Sequence, residues 1–174
     1  MSNEIQAKID NTMAELIQVF SSIDQEQINI IPFEGSWTAA QLAQHMIMSN
    51  SGFAEMINGP VKETQRKPGE LVEKIKSDFL DFTTKMKSPD FIKPPMAHYK
   101  KEDLLNSLKN IKQSIHHAIE TVDLTKTCLA FELPGYGFLT RLEAANFVLY
   151  HTQRHIHQLK KISRKLVNNN VSLT

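Results

Sequence analysis

The stretch from Ala144 to Ile162 constrains this chain more than any other. Read at helical period, its inward stripe runs Ala144, Val148, His151, His155, Leu159 and Ile162. A helix here faces a core and sets two imidazoles where packing would otherwise favour leucine. Thr140-Arg141-Leu142-Glu143 is a capping box, Ser/Thr followed three residues on by Glu, and it marks the start. Lys160, Lys161, Arg164 and Lys165 complement the negative end of the helix dipole. The expected helix covers 140–165, with the Asn168-Asn169-Asn170 tail frayed.

Other stripes repeat the three-and-four spacing. Ile5, Ile9, Met13, Leu16, Phe20 and Ile23 predict a helix over 2–21. Thr38 and Gln41 form a second capping box, with Trp37 placed to staple the entry of a helix reaching Asn58. On this helix His45 shares a face with Leu42, Met48, Gly52 and Met56, and Gln41 and Ser49 stand one turn to either side. Leu71, Ile75, Phe79, Phe82 and Met86 predict a helix over 70–87 that ends before Ser88-Pro89. Leu104, Leu108, Ile111, Ile115, Ile119 and Val122 predict another over 101–122. Residues 29–36 and 62–69 read as connections, the second a polar linker. Residues 90–99, with Pro94-Pro95, read as a long surface crossing. Residues 124–138 read as an extended, partly buried approach to the last helix, broken by Pro134-Gly135-Tyr136-Gly137. The class is all-α, and the long crossings suit a bundle with overhand connections.

At 174 residues, 41% of them hydrophobic, the expectation is one domain over 1–174. Twenty Lys and Arg against nineteen Asp and Glu leave a net charge of +1 with no block of one sign. Nothing electrostatic therefore calls for nucleic acid or an anionic membrane. Met1-Ser2-Asn3-Glu4-Ile5 lacks the basic and apolar start of a signal peptide, and no run of about 18 apolar residues occurs. A cytoplasmic location is the expectation. Cys128 stands alone, so no internal disulfide can form and any metal must be held by His and oxygen.

His151 and His155 project from one helix face a turn apart, a spacing that offers two nitrogens to a single metal, and His45 is the natural third. His157 points away from that pair. The His-Glu-x-x-His zinc motif is excluded, because Thr152 follows His151. A buried histidine can equally be a hydrogen-bonded core residue. Three neutral rings on inward faces without partners, however, would cost several kcal/mol of desolvation, roughly, which a metal would remove. His98, His116, His117 and His157 read as structural, Met46, Met48 and Met56 as core filling, and Cys128 as a packed thiol.

The segment from Ser36-Trp37-Thr38 to His45, the Leu133-Pro134-Gly135-Tyr136-Gly137 turn, and the helix from His151 through His155 to Leu159 together resemble the DinB-like superfamily, which includes YfiT-type metal-dependent hydrolases. The resemblance spans most of the chain in layout. It implies a four-helix bundle with long crossover connections and one additional shorter helix. It also implies a divalent metal, nickel or zinc among the candidates, held by His45, His151 and His155. Related proteins include thiol-dependent transferases acting with small cellular thiols, and proteins of this type often pair into homodimers. Three His donors leave at least one open coordination position, which can acidify water to a pKa of about 7 or hold a thiolate. No Asp or Glu near these histidines in sequence marks itself as a general base. Gln41, Ser49, Arg154 and Gln158 are the polar groups placed to orient an imidazole. The expected function is a metal-dependent hydrolase or thiol-dependent transferase acting on a small molecule, with a low-molecular-weight thiol among the expected partners. The alternative is a non-catalytic helical bundle whose histidines are structural or bind metal without turnover.

Overall fold

The apolar stripes fold into helices that bury them against one another. The structure, a computed structural model, describes the backbone of residues 2–171 and the side chains of residues 3–168. Among the described residues five α-helices form: α1 (Ser2–Ser21), α2 (Ala39–Asn58), α3 (Val72–Leu80), α4 (Lys101–Thr121) and α5 (Arg141–Val171). The long helices make a four-helix bundle in the cyclic order α1, α4, α2, α5, and α3 packs outside it on α5. Helices α1 and α2 occupy opposite corners, as do α4 and α5. The connections at 22–38 and 122–140 must therefore cross an end of the bundle, which explains their length.

Three expected boundaries are corrected. Helix α3 stops at Leu80, short of the expected 87, and Phe82 and Met86 are exposed. The cause is Asp81, whose carboxylate accepts from Thr83 N–H (3.0 Å), Thr83 Oγ1 (2.5 Å) and Thr84 Oγ1 (2.6 Å). This local bonding competes with helical continuation. Helix α5 runs six residues beyond the expected 165, through the asparagine tail to Val171. No Gly or Pro interrupts it, and Leu166 is still buried. The linker 62–69 opens with half of a strand: β1 (Val61–Lys62) pairs antiparallel with β2 (Thr127–Cys128), Val61 opposite Cys128. Cys128 is buried, and burial pushes its thiol up to about 11, which suits packing rather than reactivity.

The core is divided. One apolar cluster centres on Met13, Phe53, Met56, Ile115 and Phe147, and a second on Leu16, Phe20, Leu42, Leu108 and Leu159. Between them the bundle carries a buried polar layer of His45, Ser49, Asn50, His151, Thr152 and His155. Asn50 Nδ2 donates to Met13 Sδ (3.5 Å), while Asn50 Oδ1 has no hydrogen-bond partner among the described residues. An unmet buried acceptor costs about 1–3 kcal/mol.

The height of α5 against this layer is set at its first turn. Glu143 is fully buried, and its carboxylate accepts from Thr140 N–H (2.9 Å), Leu71 N–H (2.9 Å) and both terminal nitrogens of Arg66. Thr140 Oγ1 in turn accepts from Glu143 N–H (3.1 Å) and donates to the Pro68 carbonyl. One carboxylate thus joins the start of α5, the approach to α3 and the 62–71 segment. Glu143→Ala leaves the Arg66 guanidinium and two backbone donors without it, and we expect a loss of about 3 kcal/mol in urea unfolding. A shift under about 0.5 kcal/mol would mean that the cluster is dispensable.

Candidate metal centre

Helix α2 delivers His45 and Ser49 one turn apart because its capping box sets where the helix begins. Thr38 Oγ1 accepts from Gln41 N–H (3.0 Å) and Gln41 Oε1 accepts from Thr38 N–H (3.1 Å). Gln41 is thus engaged at the cap rather than at an imidazole. Helix α5 delivers His151 and His155 from consecutive turns. The three rings meet in the polar layer: His151 Nε2 lies 3.4 Å from His45 Nε2 and 3.0 Å from His155 Nε2. All three are buried, and among the described residues no carboxylate or thiol joins them.

The outer nitrogens explain the orientation of the rings. His45 Nδ1 lies 2.9 Å from the Ile92 carbonyl, which can only accept, so Nδ1 carries the proton and a neutral His45 turns a bare lone pair inward. His155 Nδ1 donates to Gln158 Oε1 (3.0 Å), leaving its Nε2 bare as well. His151 Nδ1 sits 3.4 Å from the Ser49 hydroxyl, which can donate or accept. Inward-facing lone pairs repel unless a proton or a cation lies between them. Two nitrogens bound tetrahedrally at about 2.0–2.1 Å from a metal stand about 3.3–3.4 Å apart, close to the spacings seen here. The donor set fits a divalent ion.

Protons are poor occupants of this space. Burial pushes the His155 pKa down to about 3, the positive charge of a protonated His45 acts the same way, the hydrogen bond to Gln158 opposes them, and the charge of Arg154 adds a smaller push down. His151 is driven well below its usual range by burial, then by His155, His45 and Arg154. His45 is lowered by burial, partly offset by the Ile92 carbonyl. All three rings are therefore neutral near pH 7, the form that binds metal.

The remaining candidates divide. Ser49 and Gln158 touch the histidines. Arg154 turns to the end of α3 and donates to the carbonyls of Phe79 (3.2 Å), Asp81 (2.8 Å) and Thr84. His157 lies outside the cluster, stacked on Phe82 with ring centres 4.1 Å apart. His116 bonds Asp10 on the surface of the bundle (2.7 Å), and His98 and His117 are exposed. Met46 and Met56 fill the core, whereas Met48 is only half-buried. Sequence reasoning missed the Ile92 carbonyl, a backbone atom with no sequence signal, and the rings flanking the histidines. Trp37 lies 5.0 Å from His45, and Phe79 and Phe147 lie 5.3 and 5.6 Å from His151. Phe147 precedes His151 by one turn, a spacing that the stripe made available.

Comparisons with known proteins agree with this architecture. YfiT from Bacillus subtilis, described as a probable metal-dependent hydrolase with an unusual four-helix bundle topology, superposes with a TM-score of 0.59. The match covers 94% of this chain and 86% of YfiT at 14% identity, a likeness of fold. The uncharacterized protein YuaE of Bacillus subtilis (strain 168) is 21% identical over 149 residues, covering 83% of this chain and 88% of YuaE. The family model of the DinB superfamily matches residues 8–159, which takes in all three histidines. The chain belongs to the DinB superfamily.

Proposed function

We propose that this protein is a divalent-metal-dependent enzyme acting on a small molecule, with His45, His151 and His155 holding the ion and hydrolysis as the reaction. The observation that carries the reading is the convergence of three buried, neutral imidazoles whose outer nitrogens are occupied and whose inner nitrogens lie at metal-ligand spacing. The description of YfiT supports the same reaction class. When bound, the ion supplies a Lewis acid with at least one open coordination position. The chain supplies the rest. Ile92 and Gln158 keep Nδ1–H on His45 and His155, Ser49 steadies His151, and Trp37, Phe79 and Phe147 keep bulk water from the histidines.

One observation favours a second reading, thiol transfer. Among the described residues no carboxylate joins the three histidines to act as a base. A thiol, with a pKa of about 8.5 against 15.7 or so for water, needs less help to ionise. Zinc or nickel serves either chemistry.

Protein purified without a polyhistidine tag is expected to bind about one zinc or nickel per chain by metal analysis. His155→Ala should abolish stoichiometric binding, and Gln158→Ala should weaken it about 10–100-fold in competitive titration. Wild-type affinity in both variants would refute the assignment. Turnover is tested by screening small esters, amides and thiol-plus-electrophile pairs on loaded protein, with His155→Ala as the control.

Acid should unfold the metal-free protein through the same residues. The pKa of His155 is about 3 folded and about 6.5 unfolded, so the unfolded chain binds the extra proton. The stability this contributes is complete above pH 6.5 or so and falls as the pH drops toward 3. Between pH 6 and 4 the unfolding free energy of wild type should fall more steeply than that of His155→Leu, by about 1.4 kcal/mol per pH unit at most. Equal slopes in urea titrations would contradict a buried neutral His155.

A further inference from the structure

The histidine cluster is closed to solvent. His45, His151 and His155 are 2%, 7% and 8% exposed, so anything that reaches their inner nitrogens must pass a wall that opens. Most of the walls are built to stay shut. Apolar clusters fill the bundle on either side of the polar layer, and α2 and α5, which carry the three rings, pack on each other and on α4 and α1 respectively. Parting them would break the core. The remaining wall is the strap that follows α3 and crosses from α5 to α2. On the α5 side Phe82 stacks on His157, and Arg154 holds the carbonyls of Asp81 and Thr84. On the α2 side a single 3₁₀ turn, Asp90–Ile92, rests beside His45.

The middle of this strap is barely attached. Of the described residues 85–93 none is buried; Ser88 and Ile92 are half-buried, and Phe91 is 76% exposed. Its other hydrogen bonds are local, from Ser88 Oγ and Ile92 N–H to the Pro89 carbonyl and from Lys93 N–H to the Asp90 carbonyl. Among the described residues one hydrogen bond joins 85–93 to the rest of the protein, the 2.9 Å bond from His45 Nδ1–H to the Ile92 carbonyl. A segment with so few buried contacts opens far more readily than a packed pair of helices. Anchors stand at either end, the 81–84 turn under Arg154 and the buried Pro94. From this juxtaposition, a closed cluster under a strap tied down by one of its own rings, we infer that residues 85–93 are the gate of the histidine site. The gate swings aside to admit the ion and is latched by His45. The inference rests on the metal reading and adds to it the route of entry. An ion on His45 Nε2 confines the ring proton to Nδ1 and makes that N–H a stronger donor, so an occupied site holds the gate shut. By linkage, a shut gate tightens the hold on the ion to the same degree.

The test is stopped-flow mixing of the full-length, metal-free protein with zinc, read by emission of Trp37, the single tryptophan, whose ring lies 5.0 Å from that of His45. Because opening must precede binding, the observed rate should rise with zinc and level off at the opening rate. Pro89→Gly, at an exposed position, widens what the open segment can sample and should raise that plateau about threefold or more. Trypsin gives a second readout on the wild type. Cleavage after Lys85 and Lys87 should be about threefold or more slower in zinc-loaded than in metal-free protein. A rate that stays proportional to zinc up to millimolar concentration, a plateau that Pro89→Gly leaves unchanged, or cleavage at those two lysines that is equal with and without zinc would each overturn the gate while leaving the metal site standing. A chain that binds no zinc would overturn the metal reading and this inference with it.

Discussion

The carboxylate of Glu143 is the fixed point of this structure. It sits without solvent contact at the first turn of α5, bonded to the Arg66 guanidinium and to the backbone of Thr140 and Leu71. A buried carboxylate is tolerated only when its acceptor sites are filled, so these partners must come together for the fold to close. The consequence is positional. Helix α5 starts at one height relative to α3 and the 62–71 segment, and His151 and His155 follow two and three turns later at a height that cannot slide.

That rigidity matters because the layer the histidines occupy is unfavourable by itself. The bundle has two apolar clusters and a polar stratum between them, in which Asn50 Oδ1 lacks a partner and three imidazoles turn nitrogen toward nitrogen. Leucine at those positions would pack better. Local consistency of the core is broken in this layer, as expected of residues kept for something other than packing. The strap from Asp81 to Tyr99 completes the arrangement. Arg154 holds its start by three carbonyls, Gln25 and Asn29 bond the Tyr99 carbonyl, and midway the Ile92 carbonyl orients His45.

Much of this is legible in the amino-acid sequence. Both capping boxes, the stripes of α1, α2, α4 and α5, and the shared face of His151 and His155 follow from spacing, because a helix maps sequence separation directly onto direction. The misreadings share one cause. Phe82 and Met86 continue the apolar period of α3, yet the Asp81 side chain captures the next two threonines and ends the helix. Arg154 has the position of a group that could orient an imidazole, yet its guanidinium reaches carbonyls 70 to 75 residues away in sequence. Gln41 faces the same side as His45, yet its amide is used by its own cap. In each case a polar side chain chose among partners that periodicity cannot rank.

The amino-acid sequence by itself determined the helices, their ends at Thr38 and Thr140, and the placing of two histidines one turn apart on an inward face. These are consequences of local geometry and of burying apolar stripes. Only the tertiary structure decided that His45 meets that pair across 106 residues and that a backbone carbonyl at Ile92 sets its tautomer. Those depend on which helices occupy adjacent corners of the bundle, a choice made by the whole packed core and written in no single stretch of the chain.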